Sequence, residues 1–347
     1  RLHGRQIVIA AGSRAVLPPV PGIDSSKVYT NDNVMRLDEL PARMVVIGGG
    51  VIAAEFSHVF SAFGTEVTQL NRSSRLLRGV DEEVVARFEE AASKQWNIVK
   101  DASLSEIREN ADGSVTVVAK RTSENGEELL EIPADAVLVA TGRRPNTDTL
   151  NAKNYFDVQD GGQLSVDKYQ RVLYNGAPVP GVFALGDVSS RYQLKHVANH
   201  EARVVQHNLS HPEDLRASDH RYVPGAVFTN PQIAVVGMTE EQAREAAERE
   251  GYEITVKAQN FGDTAYGWAM EDKIGLCKLI ARKDNGELLG AHLVGEESSV
   301  LIQPLLQAMS FGMDARTLAR GQYWIHPALT EIVENALLGL EFDEPAN

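Results

Sequence analysis

The stretch that most constrains this chain runs from residue 44 to residue 78. Met44, Val45, Val46 and Ile47 form a short apolar run, as a parallel strand buried on both faces requires. Gly48-Gly49-Gly50-Val51-Ile52-Ala53 follows and fits G-x-G-x-x-A. In that pattern Gly48 permits a tight turn, Gly50 lets backbone approach a pyrophosphate, and the small Ala53 lets a helix pack closely on the strand. Ala54 to Phe63 reads as that helix, with its free N–H groups and positive dipole end facing the phosphates. Gly64 ends it, and Thr65 to Leu70 alternates as a second strand. Strand, glycine turn, helix and strand in this order predict a dinucleotide site.

The tip of the second strand selects among dinucleotides. An NAD site carries Asp or Glu about 20 residues after the glycines, to bond the ribose 2′-hydroxyl. Here the tip reads Leu70-Asn71-Arg72, with Arg75 and Arg78 following. No carboxylate stands where it would repel a 2′-phosphate, and guanidinium groups stand where they could pair with one. NADPH is the cofactor expected.

At 347 residues the chain has room for two or three domains with sizeable cores. A net charge of −14 and a pI near 5.2 argue against nucleic acid or an anionic membrane as partner. No apolar run is long enough to span a bilayer, and no signal peptide is visible. The chain starts almost inside a strand without an initiator Met, so its true N-terminus is expected elsewhere. Cys277 is the single cysteine, which excludes an intrachain disulfide and any C-x-x-C motif. It is expected to be buried in a strand. So low a cysteine count suits a reducing compartment, and a cytoplasmic location is expected.

Taken in order, Ile7 to Ala11 reads as a buried strand running into the Gly12-Ser13 turn, and the proline-rich 17–22 as a loop. Asp81 to Gln95 has helical spacing, with Val84, Val85, Phe88 and Ala92 on one face. Ser103 to Lys120 reads as a hairpin about Asp112-Gly113, and Glu124-Asn125-Gly126 as a further turn. Ala136 to Asn146 repeats the design of the first strand: an apolar run, a turn at Gly142, then a basic loop with a proline. Gly181 to Asp187 is an apolar strand ending in Gly186-Asp187, where a carboxylate could accept hydrogen bonds from a sugar-like chain. His196 to Asn208 reads as a helix. His196 and His200 have the spacing of two zinc ligands, but no Glu lies between them and no third ligand is evident, so no metal site is expected.

From about His220 the pattern becomes strands near 227–237, 254–258, 275–282 and 288–295, with helices at 239 onward, 298–309 and 327–340. This predicts a separate α+β domain. Within it, Pro327 can open the last helix and place Glu331 about one turn on. A carboxylate there could bond His326, fix its tautomer and suit it to general acid–base work.

The order Ala-Ala-Gly, G-x-G-x-x-A, Ala-Thr-Gly-Arg-Arg-Pro-Asn, Gly-Asp and His-Pro-x-x-Thr-Glu closely resembles the pyridine nucleotide-disulfide oxidoreductases, over essentially the whole chain. The resemblance implies an α/β fold with Rossmann-like FAD- and NAD(P)-binding domains plus a C-terminal α+β dimerisation domain. It divides the chain into a remnant of the FAD-binding domain (1–32), an NADPH-binding domain (33–148), a return to the FAD-binding domain (149–219) and the dimerisation domain (220–347). Gly48, Gly50, Ala53, Arg72 and Arg78 match the NADPH motif. Gly12, Gly142 and Gly186 fall at the cofactor-facing strand exits, and Asp187 matches the acid that binds the FAD ribityl chain. Glu55 matches an acid that pairs with a lysine beside the flavin, and His326 and Glu331 match the catalytic dyad. That dyad serves the partner subunit, so a homodimer is implied.

The activity implied is NADPH-driven reduction of a small-molecule disulfide, with mycothione the first candidate. A dehydrogenase of dihydrolipoamide, and a non-catalytic module for NADPH binding and dimerisation, stay open at this point. The sequence departs from the family in two ways. The flavin-pyrophosphate glycines, the redox cysteine pair and the flavin-side lysine have no counterpart in it. Val51 stands where relatives often place an aromatic residue that gates the nicotinamide pocket.

Overall fold

The computed structural model describes residues 4–123 and 126–343. They fall into two compact units, each built from two separate lengths of chain. The first joins the chain up to Val16 with Gly142–His220, and the second joins Leu17–Thr141 with the chain from Arg221 on.

The second unit contains the expected nucleotide fold. Five parallel strands lie in the order Val28–Tyr29, Ala136–Val139, Arg43–Ile47, Glu66–Leu70 and Asn97–Val99. Side chains alternate along a strand, and both faces of this sheet are covered. Met44 and Val46 pack with Ala53, Ala54 and Phe60 of the helix Val51–Ala62 and with Val84 and Phe88 of the helix Glu82–Ala92. Val45 and Ile47 pack on the opposite face with Ile107, Val115 and Val117 of an antiparallel meander, Ala102–Glu109, Val115–Ser123 and Gly126–Ala134. That is why the run at 44–47 shows no polar alternation. The turn expected at 124–126 lies largely outside the described residues.

The same unit carries the α+β part. Its antiparallel sheet runs Gly225–Val227, Gln232–Gly237, Leu288–Gly295, Leu276–Arg282, Ile254–Asn260. Cys277 is fully buried in it, and burial pushes its thiol pKa well up. The helix Glu240–Glu250 opens with a capping box between Thr239 and Gln242. The helices that follow differ from expectation. The run expected at 298–309 breaks into Ser298–Leu301 and Gln303–Phe311, with Pro304 in the first turn of the second. The helix Ala315–Arg320, capped by Asp314 through the amides of Arg316 and Thr317, was not expected at all. The last helix begins at Thr330, so Pro327 precedes it and does not open it.

In the first unit, Ile7–Ile9 pairs parallel with Ala177–Ala184, which pairs antiparallel with Arg171–Tyr174. Ser13–Ala15 and Arg143–Pro145 form an antiparallel ribbon. The helix Lys195–Ser210 completes the unit. Ile7 and Val8 are 47% and 44% exposed, not buried as expected, because their strand is the edge of a three-stranded sheet. The boundaries also fall differently from those expected. Val28–Tyr29 pairs with Ala136–Val139, so 17–32 lies with the nucleotide fold. Residues 142–148 lie with the first unit because their strand pairs with Ser13–Ala15.

Candidate functional site

In the second unit the glycine turn has the shape a dinucleotide needs. Gly48 has φ +140°, and a Cβ there would stand 2.3 Å from the carbonyl oxygen of Ala140. A Cβ on Gly49 would stand 2.2 Å from Asn71 Oδ1. Gly50, the N-cap of the helix Val51–Ala62, faces open space on its Cβ side. The helix start has no side-chain cap and no acid in its first turn, so its amides and dipole remain available to an anion. Ala53 is fully buried, as close helix–strand packing requires. Val51 is 42% exposed beside the turn.

The arginine loop, residues 71–80, stands against this turn. Asn71 is buried, and its Nδ2 donates to Ser73 O at 2.7 Å, Ser73 Oγ at 3.1 Å and Arg75 O at 3.0 Å. Leu77 N donates to Gly49 O at 2.8 Å and Leu76 N to Glu89 Oε1 at 3.0 Å. Arg75 turns inward, with Nη2 donating to Arg78 O and Val80 O. Arg72 and Arg78 are exposed. Of the three arginines, one therefore builds the loop and two face outward from it.

Glu55 lies one turn into the helix. Its Oε1 accepts from the amide of Phe228 at 3.0 Å, and burial raises its carboxyl pKa. Among the described residues that amide is the contact the structure gives this carboxylate, where the resemblance implies a lysine.

Also in this unit, His326 Nδ1 and Glu331 Oε2 stand 3.0 Å apart. The His326 side chain is 64% exposed and that of Glu331 15%. The pair is close enough for ionic attraction but out of line for a directed hydrogen bond. Glu331 sits in the first turn of Thr330–Leu338, where the helix dipole favours a carboxylate. Trp324 Nε1 donates to Ala319 O and anchors the approach to His326. Tyr323 and Ile325, which precede it in the chain, are both exposed.

The first unit gathers the other predicted residues. Gly12, Gly142 and Gly186 have φ of +67°, +139° and +71°, conformations that favour glycine. Asn146 N donates to Gly12 O and its Nδ2 to Ala11 O; Val16 N donates to Gly142 O. Asp187 Oδ2 accepts from Ser13 Oγ at 2.6 Å, and Ser13 Oγ accepts from Arg143 Nε at 2.8 Å. Gly186 N donates to Glu201 Oε2 at 2.7 Å, and Glu201 Oε1 is 3.0 Å from His220 Nε2. His200 Nε2 accepts from Asp219 N, and burial lowers its pKa.

Ser13, Arg143 and Glu201 were not singled out from the sequence. Glu201 carried a readable signal, a lone acid on the buried stripe Val197, Val204, Val205. No such signal marks Ser13 or Arg143.

A glycine cradle at an uncapped helix start, beside a strand tip without an acid, defines a dinucleotide-binding protein. The comparisons make this specific. Residues 1–202 match the pyridine nucleotide-disulphide oxidoreductase family, and residues 223–337 match its dimerisation domain. The chain belongs to that family. It is 52% identical to mycothione reductase of Mycobacterium tuberculosis over 96% of this chain and 70% of that protein. It is 33% identical to dihydrolipoyl dehydrogenase of Synechocystis over the same shares. The HOCl-induced flavoprotein disulfide reductase RclA from Escherichia coli superposes with a TM-score of 0.84 at 30% identity, over 97% of this chain and 74% of that one. No helix among the described residues is long and apolar enough to cross a membrane.

Proposed function

We propose that this chain carries the NADPH-binding, flavin-contacting and proton-transfer parts of a homodimeric disulfide reductase whose substrate is mycothione. The observation that carries the substrate is the 52% identity to mycothione reductase across 96% of the chain, against 33% to a dihydrolipoyl dehydrogenase. When bound, NADPH supplies a hydride and FAD passes the electrons on to the disulfide.

The residues present fit both groups. Gly50 and the free amides after it would hold the pyrophosphate, with Arg72 and Arg78 on the 2′-phosphate. Asp187, held by Ser13 through Oδ2, keeps Oδ1 to accept from a hydroxyl of the flavin chain. With Nδ1 facing Glu331, His326 has Nε2 to give a proton to a leaving thiolate and to take one back. The exposed His326, preceded by exposed Tyr323 and Ile325, supports a second copy seated on this surface.

The test is steady-state turnover of the isolated protein with NADPH or NADH, and with mycothione or lipoamide. Arg72→Glu is expected to lower kcat/KM for NADPH about 10- to 100-fold and to leave NADH little changed. An unchanged preference would overturn the cofactor reading. Faster NAD-linked oxidation of dihydrolipoamide would place the protein with the dihydrolipoyl dehydrogenases instead.

A further inference from the structure

The exit of the arginine loop is held by a buried cation from a distant part of the chain. Lys278 lies on the strand Leu276–Arg282 of the antiparallel sheet, with its side chain 6% exposed. Its Nζ is 3.0 Å from Asp81 Oδ1, 2.7 Å from Glu240 Oε2 and 3.3 Å from Glu83 Oε2. Asp81 is itself 3% exposed at the side chain. It accepts from Glu83 N as the cap of the helix Glu82–Ala92, and from Glu240 N at 3.1 Å through its other oxygen. Asp81 is thus bound by its own helix, by the start of a helix over 150 residues on, and by Lys278.

Asp81 also ends the segment that displays the arginines. The middle of that segment is pinned elsewhere, Leu76 to Glu89 and Leu77 to Gly49. Arg78 and Gly79 lie inside a turn closed by Val80 N, which donates to Leu77 O at 2.8 Å, and the Arg78 carbonyl accepts from Arg75. Arg75 also reaches Val80 O, adjacent to Asp81. The turn that carries Arg78 is therefore seated by the Leu77–Gly49 bond at one end and by the Asp81 clamp at the other.

We propose that Lys278 is a positioning residue for the 2′-phosphate subsite: by clamping Asp81 it fixes the exit of the arginine loop and so the place of Arg78. This rests on the NADPH reading above. It assigns to the dimerisation domain a part in cofactor selection that does not require contact with the cofactor.

The test is equilibrium titration of the full protein with NADP+ and with NAD+, in Lys278→Met, Lys278→Arg and Arg78→Ala. Lys278→Met is expected to weaken NADP+ binding about three- to tenfold while NAD+ binding changes less than twofold. Lys278→Arg, which keeps the cation, is expected to retain most of the preference. Lys278→Met that lowers the melting temperature yet leaves the NADP+ to NAD+ ratio unchanged would overturn the proposal, since the lysine would then only hold the fold together. Arg78→Ala separates the two readings. If it abolishes the preference and Lys278→Met does not touch it, the clamp fails and the phosphate site stands. If neither variant changes the preference, the phosphate site itself fails. Should Lys278→Met not fold, Asp81→Asn decides in the same assay: it keeps an oxygen for the Glu83 amide and removes the charge that Lys278 holds, and a ratio shift of the same sign supports the clamp while no shift overturns it.

Discussion

At the scale of single residues, Asn71 does more than leave room for a phosphate. Its amide nitrogen is a donor to three oxygens at once, and its Oδ1 lies against Gly49. A carboxylate has no hydrogen to offer and would face those oxygens as a buried anion. Asn71→Asp is therefore expected to cost about 1–3 kcal/mol of stability, read as a lower melting temperature, and to loosen the arginine loop along with it. Unchanged melting would mean the three contacts contribute nothing. The absence of an acid at this tip was legible in the sequence, because the position is fixed by its distance from the glycines. That Asn71 itself builds the loop was not. Its partners at Ser73 and Arg75 are close in sequence, but only the folded turn aims their oxygens at one nitrogen. Arg75 shows the same limit: composition makes it one of three equivalent cations, and geometry makes it a strut.

At the scale of elements, the strand, glycine turn and helix at 44–62 were readable because each signal is local. The helix expected from Asp81 to Gln95 was readable for the same reason, although it runs from Glu82 to Ala92 with Asp81 as its cap. Lys278 was not readable. It sits 197 residues from Asp81, in a strand whose neighbours are apolar, and only the packed fold brings the charges together. Burial alone would raise the pKa of Asp81 and of Glu240, but their bonds to Lys278, and those of Asp81 to the Glu240 amide and of Glu240 to Arg244, hold both below their ordinary values. Burial alone would lower Lys278, and the two carboxylates raise it above its ordinary value. His292, across the strand from Lys278, donates Nε2–H to Met238 O, and burial keeps its pKa low. A lowered acid stabilises above its unfolded pKa, and a raised base stabilises below its own. The cluster's contribution is thus complete from above 4.5, the higher ordinary value of the two acids, up to 10.5, that of the lysine. It declines outside that window. Urea titrations across pH are expected to show this plateau in the difference between the wild-type protein and Lys278→Met, because what buried His292 loses below pH 6.5 and buried Cys277 above pH 9.0 is common to both. Lys278→Met is expected to be less stable by about 3–5 kcal/mol within it, because the acids are left buried without their cation. Equal stability of the two proteins at neutral pH would contradict the assignment.

At the scale of the whole molecule, the matched dimerisation domain and the exposed side chains around His326 lead to one expectation. Ile325→Asp places a charge at the centre of the surface a second copy would cover. It is expected to shift the protein from dimer to monomer in sedimentation and to lower turnover with it, while leaving NADP+ binding intact. A dimer of unchanged strength would place the interface elsewhere. The domain types were legible from the order of motifs, but the places where the chain changes units were not. The boundary at residue 32 follows from the family resemblance, whereas the short strand Val28–Tyr29 is claimed by a partner more than 100 residues later. Tertiary pairing decided the boundary, and a two-residue strand has no periodicity to announce it.

The interleaving of the two units also orders events in time as the polypeptide leaves the ribosome. The parallel sheet needs nothing beyond Val139, so it is complete while the chain's later half is still unmade. Ser13, by contrast, waits for Asp187, and Asp81 waits 197 residues for Lys278. At about 5–20 residues per second the second wait lasts on the order of ten to forty seconds. Through that interval the arginine loop has its glycine contacts but not its far anchor.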